Sequence, residues 1–278
     1  MIGLLRSLLF VPGGRPDRFA KALASGADAV IFDLEDSVEA SRKAEARREV
    51  AAFLSTPSDS SVTRFVRVNA AGSPWFAEDL ECVGALTGID GVVLPKAEHA
   101  LHVEELARAT ATRTVLPLLE TARGVLDASA IAGADAHVPA LLFGAEDLTA
   151  QLGVPRTIDG DELIFARSQV VLAAAAAGAD AIDAVFVEIG DADGLRRDAL
   201  RARALGFRGK MAIHPGQVAA MNDVFTPTAA EVDRARRLVD TYESALARGE
   251  GVIRLDDRMI DTPVVERARR LLARSKRS

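Results

Sequence analysis

Short apolar runs alternate with longer amphipathic segments along the first 225 residues of the chain. Most of the short runs are continuous in Val, Ile, Leu or Phe and do not alternate with polar residues, which is typical of strands buried on both faces. Gly or Pro stands at many of the joints between runs and segments. The pattern predicts eight strands, at Leu4–Val11, Ala29–Leu34, Arg64–Val68, Gly91–Leu94, Val115–Leu119, Ala140–Phe143, Ala181–Phe186 and Lys210–Ile213.

Eight strands in alternation with helices predict an α/β fold, a (β/α)8 TIM barrel. A doubly wound open sheet also alternates, but it normally carries a glycine-rich phosphate turn after its first strand. The segment VPGGRPD at that position lacks the G-x-G-x-x-G pattern. We therefore expect a catalytic barrel over residues 1–225 and a C-terminal helical extension over residues 226–278. The extension carries few apolar residues, so we expect it to pack on the barrel or on a neighbouring subunit.

Composition narrows the range of partners. The 278 residues carry a net charge of −6, so there is no electrostatic reason to bind nucleic acid or an anionic membrane. The single cysteine, Cys82, excludes an intramolecular disulfide. The apolar N-terminal run breaks at Pro12 and is too short to span a bilayer. We expect a cytoplasmic protein that has no nucleic-acid or membrane partner.

Polar side chains follow nearly every predicted strand, where TIM barrels place their catalytic groups. Carboxylates predominate among them, and converging carboxylates repel one another unless a cation or protons neutralise them. The residues at these positions are Arg15, Asp33, Glu35, Asp36, Arg67, Asn69, Lys96, Glu120, Glu146, Asp147, Asp183 and His214.

This set favours a metal bound by oxygen ligands. The chain has four histidines and one cysteine, which disfavours a zinc site. Mg²⁺, or Mn²⁺ in its place, is held by one or two carboxylates together with water and substrate. Glu120 and Asp147 are the predicted ligands. The alternative is that these carboxylates are paired with Arg67, Arg123 or Lys96.

Seven strings follow one another along the chain in order: RSLLFVPGGRPDRFAKA, VIFDLEDSVEASRK, RFVRVNA, GVVLPKAE, LPLLETARGV, LLFGAEDLTAQLG and MAIHPGQV. Together they resemble the citrate lyase beta-subunit family, within the wider group of malyl-CoA lyases and HpcH/HpaI-type aldolases. The resemblance covers essentially the whole chain. It implies a Mg²⁺-dependent TIM barrel that cleaves or forms a carbon–carbon bond next to a CoA or acyl-carrier thioester. Citryl-CoA or malyl-CoA would thus give acetyl-CoA and a 2-oxo acid.

The resemblance also assigns roles to individual residues. It implies that Glu120 and Asp147 hold the metal, in preference to the adjacent Glu146, and contact the substrate through it. Arg67 would bind the substrate carboxylate and take part in catalysis. The acids of the FDLED string are expected behind these residues: Asp33, Glu35 and Asp36.

The closing string, RMIDTPVVERA, is similar to the closing motif of the family. The resemblance implies that Asp261 reaches into the site of a neighbouring subunit and moves a proton there, which implies a homo-oligomer, a trimer or hexamer. Alternatively, Asp261 caps the helix that begins near Pro263, and His214 is then the substitute acid or base. His214 could equally cap the eighth strand and fix the loop after it.

Two basic residues are candidates for the remaining substrate contacts. Arg15 follows the first strand and could meet a phosphate of CoA, with an ordinary surface arginine as the alternative. Lys96 follows the fourth strand and could bind substrate or neutralise the carboxylates. Three rival functions stay open: an aldolase acting on free 2-oxo acids, a malyl-CoA thioesterase, and a non-catalytic subunit of a lyase complex.

Overall fold

The computed structural model describes residues 2–55, 61–111, 114–134, 136–249, 251–256 and 258–275. The chain divides into two compact units, Met1–Phe225 and Thr226–Ser278. In the first unit eight parallel strands close into a barrel in chain order, so the predicted TIM barrel is confirmed. The strands are β1 Ser7–Pro12, β2 Ala29–Asp33, β3 Thr63–Arg67, β4 Gly91–Leu94, β5 Val115–Leu119, β6 Ala140–Phe143, β7 Asp180–Asp183 and β8 Gly209–Ala212.

Helices follow the strands around the barrel. Several end where a glycine adopts the left-handed conformation, as Gly178 does at φ 73° and Gly206 at φ 115°. The helices of this unit are α1 Phe19–Leu23, α2 Lys43–Leu54, α3 Phe76–Ala85, α4 Ala100–Ala109, α5 Ala122–Leu126, α6 Ala128–Ala132, α7 Glu146–Leu152, α8 Ile164–Ala177, α9 Ala192–Leu205 and α10 Val218–Phe225.

Successive side chains of each strand point alternately into the barrel and towards the helices, because the side-chain period of a strand is two. The inward-pointing side chains form one apolar cluster, which includes Leu8, Ile31, Phe65, Val93, Leu116, Leu142, Ile182 and Met211. The outward-pointing side chains pack with the helices in a second cluster, which includes Leu9, Val30, Phe32, Val66, Val92, Leu141 and Phe143. Both faces are buried, and this explains the continuous apolar runs in the sequence.

A buried ionic network joins the barrel to its helices. Asp183 at the end of β7 accepts hydrogen bonds from Arg167 Nη2 at 2.6 Å and from Lys210 Nζ at 2.6 Å. Lys210 also lies 2.5 Å from Asp198 of α9. Asp183 therefore faces the helix layer, and the expectation that it joins the other strand-end polar groups is wrong. Its two cationic partners lie on that side.

The second unit is a helix, a hairpin and a second helix: α11 Ala229–Leu246, β9 Ile253–Leu255, β10 Arg258–Ile260 and α12 Thr262–Ser275. A capping box starts α11, with Thr228 Oγ1 accepting from the Glu231 amide at 3.2 Å. The unit has a small apolar cluster of its own, which the sparse apolar pattern did not predict: Ala235, Val239, Tyr242, Ile260, Val265 and Ala268. No helix in the described part of the chain is long and apolar enough to cross a membrane.

Candidate active site

A cavity of about 370 Å³ opens at the C-terminal ends of the barrel strands. Six of the residues predicted for the site line it: Asp33, Asp36, Arg67, Glu120, Glu146 and Asp147. Its apolar wall comes from Phe10, Leu118, Val185, Met211 and Ile213. The cavity is thus a carboxylate-rich pocket with one buried guanidinium and an apolar wall.

Arg67, the last residue of β3, is held on two sides by acids. Its guanidinium donates to both oxygens of Asp33, at 2.6 and 2.7 Å, and its Nη1 lies 2.9 Å from Glu35 Oε2. The guanidinium also stacks over the ring of Phe10, 4.8 Å from the ring centroid. Burial alone would raise the pKa of Asp33, but the charge and hydrogen bonds of Arg67 lower it. Asp33 is therefore ionised and fixes the guanidinium in one orientation.

The loop after β2 is built to hold these acids. Asp33 Oδ1 accepts from the Glu35 amide at 2.9 Å, and Oδ2 accepts from the Ser37 amide at 3.1 Å. From the other side, the Lys43 ammonium donates to the carbonyls of Leu34 and Glu35 at 2.8 and 2.7 Å. The string FDLED therefore folds as a turn that buries Glu35 next to the cavity.

Glu120 directly follows β5 and is buried at the cavity floor. Its Oε1 accepts a hydrogen bond from the Lys96 amide at 2.9 Å. Gly144 leaves the space that this side chain fills, since a Cβ there would lie 2.5 Å from Glu120 Cβ and 2.7 Å from its Oε2. Burial, reinforced by the carboxylate of Glu35, raises the pKa of Glu120 to about 8. A cation beside Glu120 would relieve both effects.

Asp147 lies in the first turn of α7 with its side chain partly exposed to the cavity. Its Oδ2 is 3.0 Å from Lys96 Nζ. The neighbouring Glu146 pairs instead with Arg156 of the following loop. The two adjacent acids thus have different partners. Glu146 pairs with Arg156, whereas Asp147 contacts the ammonium of Lys96, the residue whose amide binds Glu120.

This donor set fits a hard divalent cation. Glu120 and Asp147 both line the cavity, and the surroundings of Glu120 disfavour its charged form. Within the described ranges, no group of three or more His, Cys, Asp or Glu side chains is arranged to hold a metal ion. A cation bound by Glu120 and Asp147 would therefore complete its coordination with water or substrate oxygens, as Mg²⁺ commonly does.

Arg15 lines a separate small pocket of about 280 Å³. Arg18, Arg42 and the acid Glu39 line the same pocket, so its wall carries three basic side chains and one acidic one. The Arg15 guanidinium donates to both oxygens of Asp17, at 2.8 and 2.7 Å. The structure thus groups Arg15 with two further arginines that the sequence pattern did not single out.

The two candidate proton-transfer residues lie in different units. Asp261 belongs to the second unit and directly precedes α12, where its Oδ1 accepts from the Val264 amide at 3.5 Å. His214 follows β8, is exposed, and its Nδ1 accepts from the Gly216 amide at 3.1 Å. Each side chain thus makes a local capping contact.

Sequence reasoning missed three residues that shape the site: Phe10 beneath Arg67, Lys43 behind the β2 loop, and Gly144 beside Glu120. Gly144 had a signal in the sequence, because a glycine directly after a buried strand often marks a close approach of another group. Lys43 had none, since its helical position resembles that of any solvated lysine.

Comparison with known proteins gives the family. The model of the family described as HpcH/HpaI aldolase/citrate lyase matches residues 6–215. The chain belongs to this family. The predicted resemblance is confirmed.

Relatives that match nearly the whole chain have different names. A citrate lyase subunit beta-like protein of Deinococcus radiodurans is 41% identical over 278 residues, covering 97% of each chain. A (3S)-malyl-CoA thioesterase of Cereibacter sphaeroides is 34% identical over 270 residues, covering 97% of this chain and 94% of its own. This chain also matches the crystal structure of CitE from Mycobacterium tuberculosis in complex with magnesium, acetoacetate and coenzyme A. The two share 38% sequence identity and superpose with a TM-score of 0.84, and the match covers 99% of this chain and 100% of that chain.

The raised pKa of Glu120 predicts a pH-dependent stability in chelator. The folded chain keeps a proton on Glu120 up to a pH of about 8, whereas the unfolded chain loses it near 4.5. Across that window the folded state binds more protons, so Glu120 makes the free energy of unfolding fall as pH rises, by at most about 1.4 kcal/mol per pH unit. Glu120→Gln removes this term. We expect the stability advantage of the variant over wild type to grow between pH 5 and 8 in urea unfolding with EDTA.

Glu146→Gln is the matched control, since it removes a carboxylate from the same cavity whose partner is Arg156. If the free energy of unfolding changed with pH equally in wild type and in Glu120→Gln, the raised pKa of Glu120 would be contradicted.

Proposed function

We propose that this chain is a Mg²⁺-dependent carbon–carbon lyase, or synthase in the reverse direction, acting on a CoA or acyl-carrier thioester of a hydroxy acid. The products of cleavage are an acetyl thioester and a 2-oxo acid, as from citryl-CoA or malyl-CoA. One observation carries the proposal: Glu120 and Asp147 share a cavity with a buried Arg67 whose orientation is fixed by Asp33. A relative of known structure binds magnesium, acetoacetate and coenzyme A.

Glu120 and Asp147 would hold the Mg²⁺, with Mn²⁺ able to replace it. When bound there, the ion supplies Lewis acidity to the oxygens of the 2-oxo acid. Gly144 keeps room for Glu120, and the Lys96 amide orients its carboxylate. These residues would therefore hold a bound 2-oxo acid next to Glu120.

Arg67 would hold the carboxylate of the substrate. A guanidinium binds a carboxylate through two parallel hydrogen bonds, which fixes orientation as well as charge. Because Asp33, Glu35 and Phe10 already hold the group, little conformational entropy is lost when substrate binds. The cavity of about 370 Å³ suits a small acid with an acyl fragment beside it.

Cleavage breaks the bond between the carbinol carbon and the carbon next to the thioester. A base takes the hydroxyl proton, the hydroxyl oxygen becomes the carbonyl oxygen of the 2-oxo acid, and the electron pair of the broken carbon–carbon bond leaves on the thioester fragment as its enolate. A proton must then reach the enolate carbon to give the acetyl thioester, and the reverse reaction removes it. Asp261 is the proposed group for this proton transfer, supplied by a neighbouring subunit of a homotrimer or homohexamer. His214, whose Nδ1 accepts from the Gly216 amide, is the second choice.

The basic pocket of Arg15, Arg18 and Arg42 would bind phosphate groups of the CoA moiety. Three guanidinium groups around one small pocket give donors for phosphate oxygens. Lys96 is proposed to neutralise the carboxylates of the cavity and not to bind CoA, because its ammonium contacts Glu35 and Asp147.

A thioesterase is the second candidate, because a (3S)-malyl-CoA thioesterase is 34% identical over nearly the whole chain. Such an enzyme would hydrolyse the thioester and leave the carbon skeleton intact. An aldolase on free 2-oxo acids and a non-catalytic subunit of a lyase complex are the remaining alternatives.

Incubation of the protein with Mg²⁺, acetyl-CoA and either glyoxylate or oxaloacetate is expected to give a carbon–carbon adduct by mass spectrometry. The reverse assay with malyl-CoA or citryl-CoA should release the 2-oxo acid before free thiol. Thiol release without a 2-oxo acid would establish the thioesterase instead. Turnover of free hydroxy-oxo acids without any adduct would establish the aldolase, and no turnover in any assay would favour the non-catalytic subunit.

Removal of either proposed ligand should abolish the metal response. Saturating Mg²⁺ is expected to raise the Tm of the wild-type protein, because a ligand that binds the folded state stabilises it. Glu120→Gln and Asp147→Asn should lose that rise and lower kcat/KM by about 100-fold or more. Glu146→Gln, altered one position from Asp147, should keep the rise in Tm. An unchanged Mg²⁺ response in both ligand variants would contradict the assignment.

Asp261 acting across a subunit boundary can be tested by complementation. Arg67→Lys and Asp261→Asn should each be nearly inactive alone. In a co-expressed 1:1 mixture, random assembly of a cyclic oligomer restores about a quarter of the complete sites, so about a quarter of wild-type activity should return. Recovery would not occur if Asp261 serves its own chain, and full activity of Asp261→Asn alone would remove its catalytic role.

A further inference from the structure

Lys96 has an unusual backbone conformation for its residue type. Among the residues that the structure describes, Lys96 at φ 48° and Asp256 at φ 49° are the non-glycine positions with positive φ. This left-handed region is disfavoured for residues with a Cβ and persists only where the surroundings enforce it. At Lys96 it follows β4 and aims the amide at Glu120, whose Oε1 is 2.9 Å away.

The side chain of the same residue reaches the other acids of the cavity. Lys96 Nζ lies 2.5 Å from Glu35 Oε1, 3.0 Å from Asp147 Oδ2 and 3.8 Å from Asp36 Oδ2. One residue thus contacts both proposed metal ligands, Glu120 through its amide and Asp147 through its ammonium. The ammonium group is therefore surrounded by the carboxylates of Glu35, Asp36 and Asp147.

The charge balance of the cavity explains what this cation does. Besides Glu146, which pairs with Arg156, five carboxylates meet there, and the cations that pair with these five in the described part of the chain are Arg67 and Lys96. The carboxylates are Asp33, Glu35, Asp36, Glu120 and Asp147. Arg67 forms its ion pairs with Asp33 and Glu35. Lys96 is therefore the cation that neutralises the ligand side of the cavity.

We propose that the Lys96 ammonium is a built-in competitor of the divalent cation: it pairs with Asp147 when no metal is bound and lowers the metal affinity of the site. This inference rests on the proposed function, because it takes Glu120 and Asp147 as the ligands. An ammonium and a metal ion at the same carboxylate repel each other, and each offsets the charge that attracts the other. Lys96 thus holds the ligands in place without metal and keeps metal binding reversible.

The opposite role has a different consequence. If Lys96 only positions the ligands, its loss disorders Asp147 and weakens metal binding. If it competes, its loss strengthens metal binding and destabilises the metal-free protein, because Asp147 and Glu35 lose their counter-charge. The sign of the change in metal affinity separates the two roles.

The test measures Mn²⁺ affinity by electron paramagnetic resonance, which counts free Mn²⁺ directly. Lys96→Met should bind Mn²⁺ about 10-fold more tightly or better, from the loss of one positive charge next to a divalent ion. Lys96→Asn is the second neutral variant, because asparagine tolerates the left-handed backbone, and it should show the same gain. The Mg²⁺-induced rise in Tm should also be larger in both variants than in wild type.

Two controls belong to the experiment. Lys96→Arg keeps the charge and should stay within about 3-fold of wild type, whereas the exposed Lys21→Met changes net charge equally and should leave the affinity unchanged. Unchanged or weaker Mn²⁺ binding by both neutral Lys96 variants would overturn the competitor role.

Glu120→Gln distinguishes failure of this inference from failure of the proposed site. Loss of Mn²⁺ binding in Glu120→Gln, with no gain in Lys96→Met, would reject the competitor role alone. Full Mn²⁺ binding in Glu120→Gln would reject the metal site and the competitor role together.

Discussion

Repulsion among carboxylates at the barrel mouth is the constraint on which the rest of this site depends. Glu35 and Glu120 are buried close enough for the charge of Glu35 to raise the pKa of Glu120. The fold offsets part of that repulsion with Arg67 and Lys96, which come from the ends of β3 and β4 and both contact Glu35. What the two cations leave unbalanced lies on the side of Glu120 and Asp147. A divalent cation there would displace the proton of Glu120 and supply the missing positive charge.

Barrel closure brings together groups that are far apart in the chain. Asp33, Arg67, Lys96, Glu120 and Asp147 come from the ends of five successive strands, β2 to β6. Parallel strands place all their C-terminal ends at one rim, so a site can be built without long loops. The apolar wall of the cavity comes from β1, β5 and β8 and from the segments that follow β7 and β8. Apolar surroundings strengthen the charge interactions at the facing rim, because they lower the local dielectric constant.

The hydrophobic pattern was sufficient to predict the strands, because strands covered on both faces leave continuous apolar runs such as Gly91–Leu94 and Val115–Leu119. It could not give the direction of a polar side chain at a strand end. Asp183 and Glu120 look alike in the sequence, yet Asp183 faces Arg167 and Lys210 in the helix layer and Glu120 faces the cavity. Strand register decides this, and it follows from packing around the whole barrel. The position of Lys96 after its strand could be predicted from the sequence, but the left-handed backbone that turns its amide towards Glu120 could not.

The metal assignment is tested most directly by diffraction from a crystal soaked with Mn²⁺ and a 2-oxo acid. Anomalous scattering locates the ion independently of any assumption about its ligands. We expect one strong peak in the barrel cavity, within bonding distance of the carboxylates of Glu120 and Asp147, with the 2-oxo acid completing the coordination and its carboxylate on Arg67. A Mn²⁺ peak bound elsewhere, or a 2-oxo acid seated in the cavity with no ion beside Glu120 and Asp147, would contradict it.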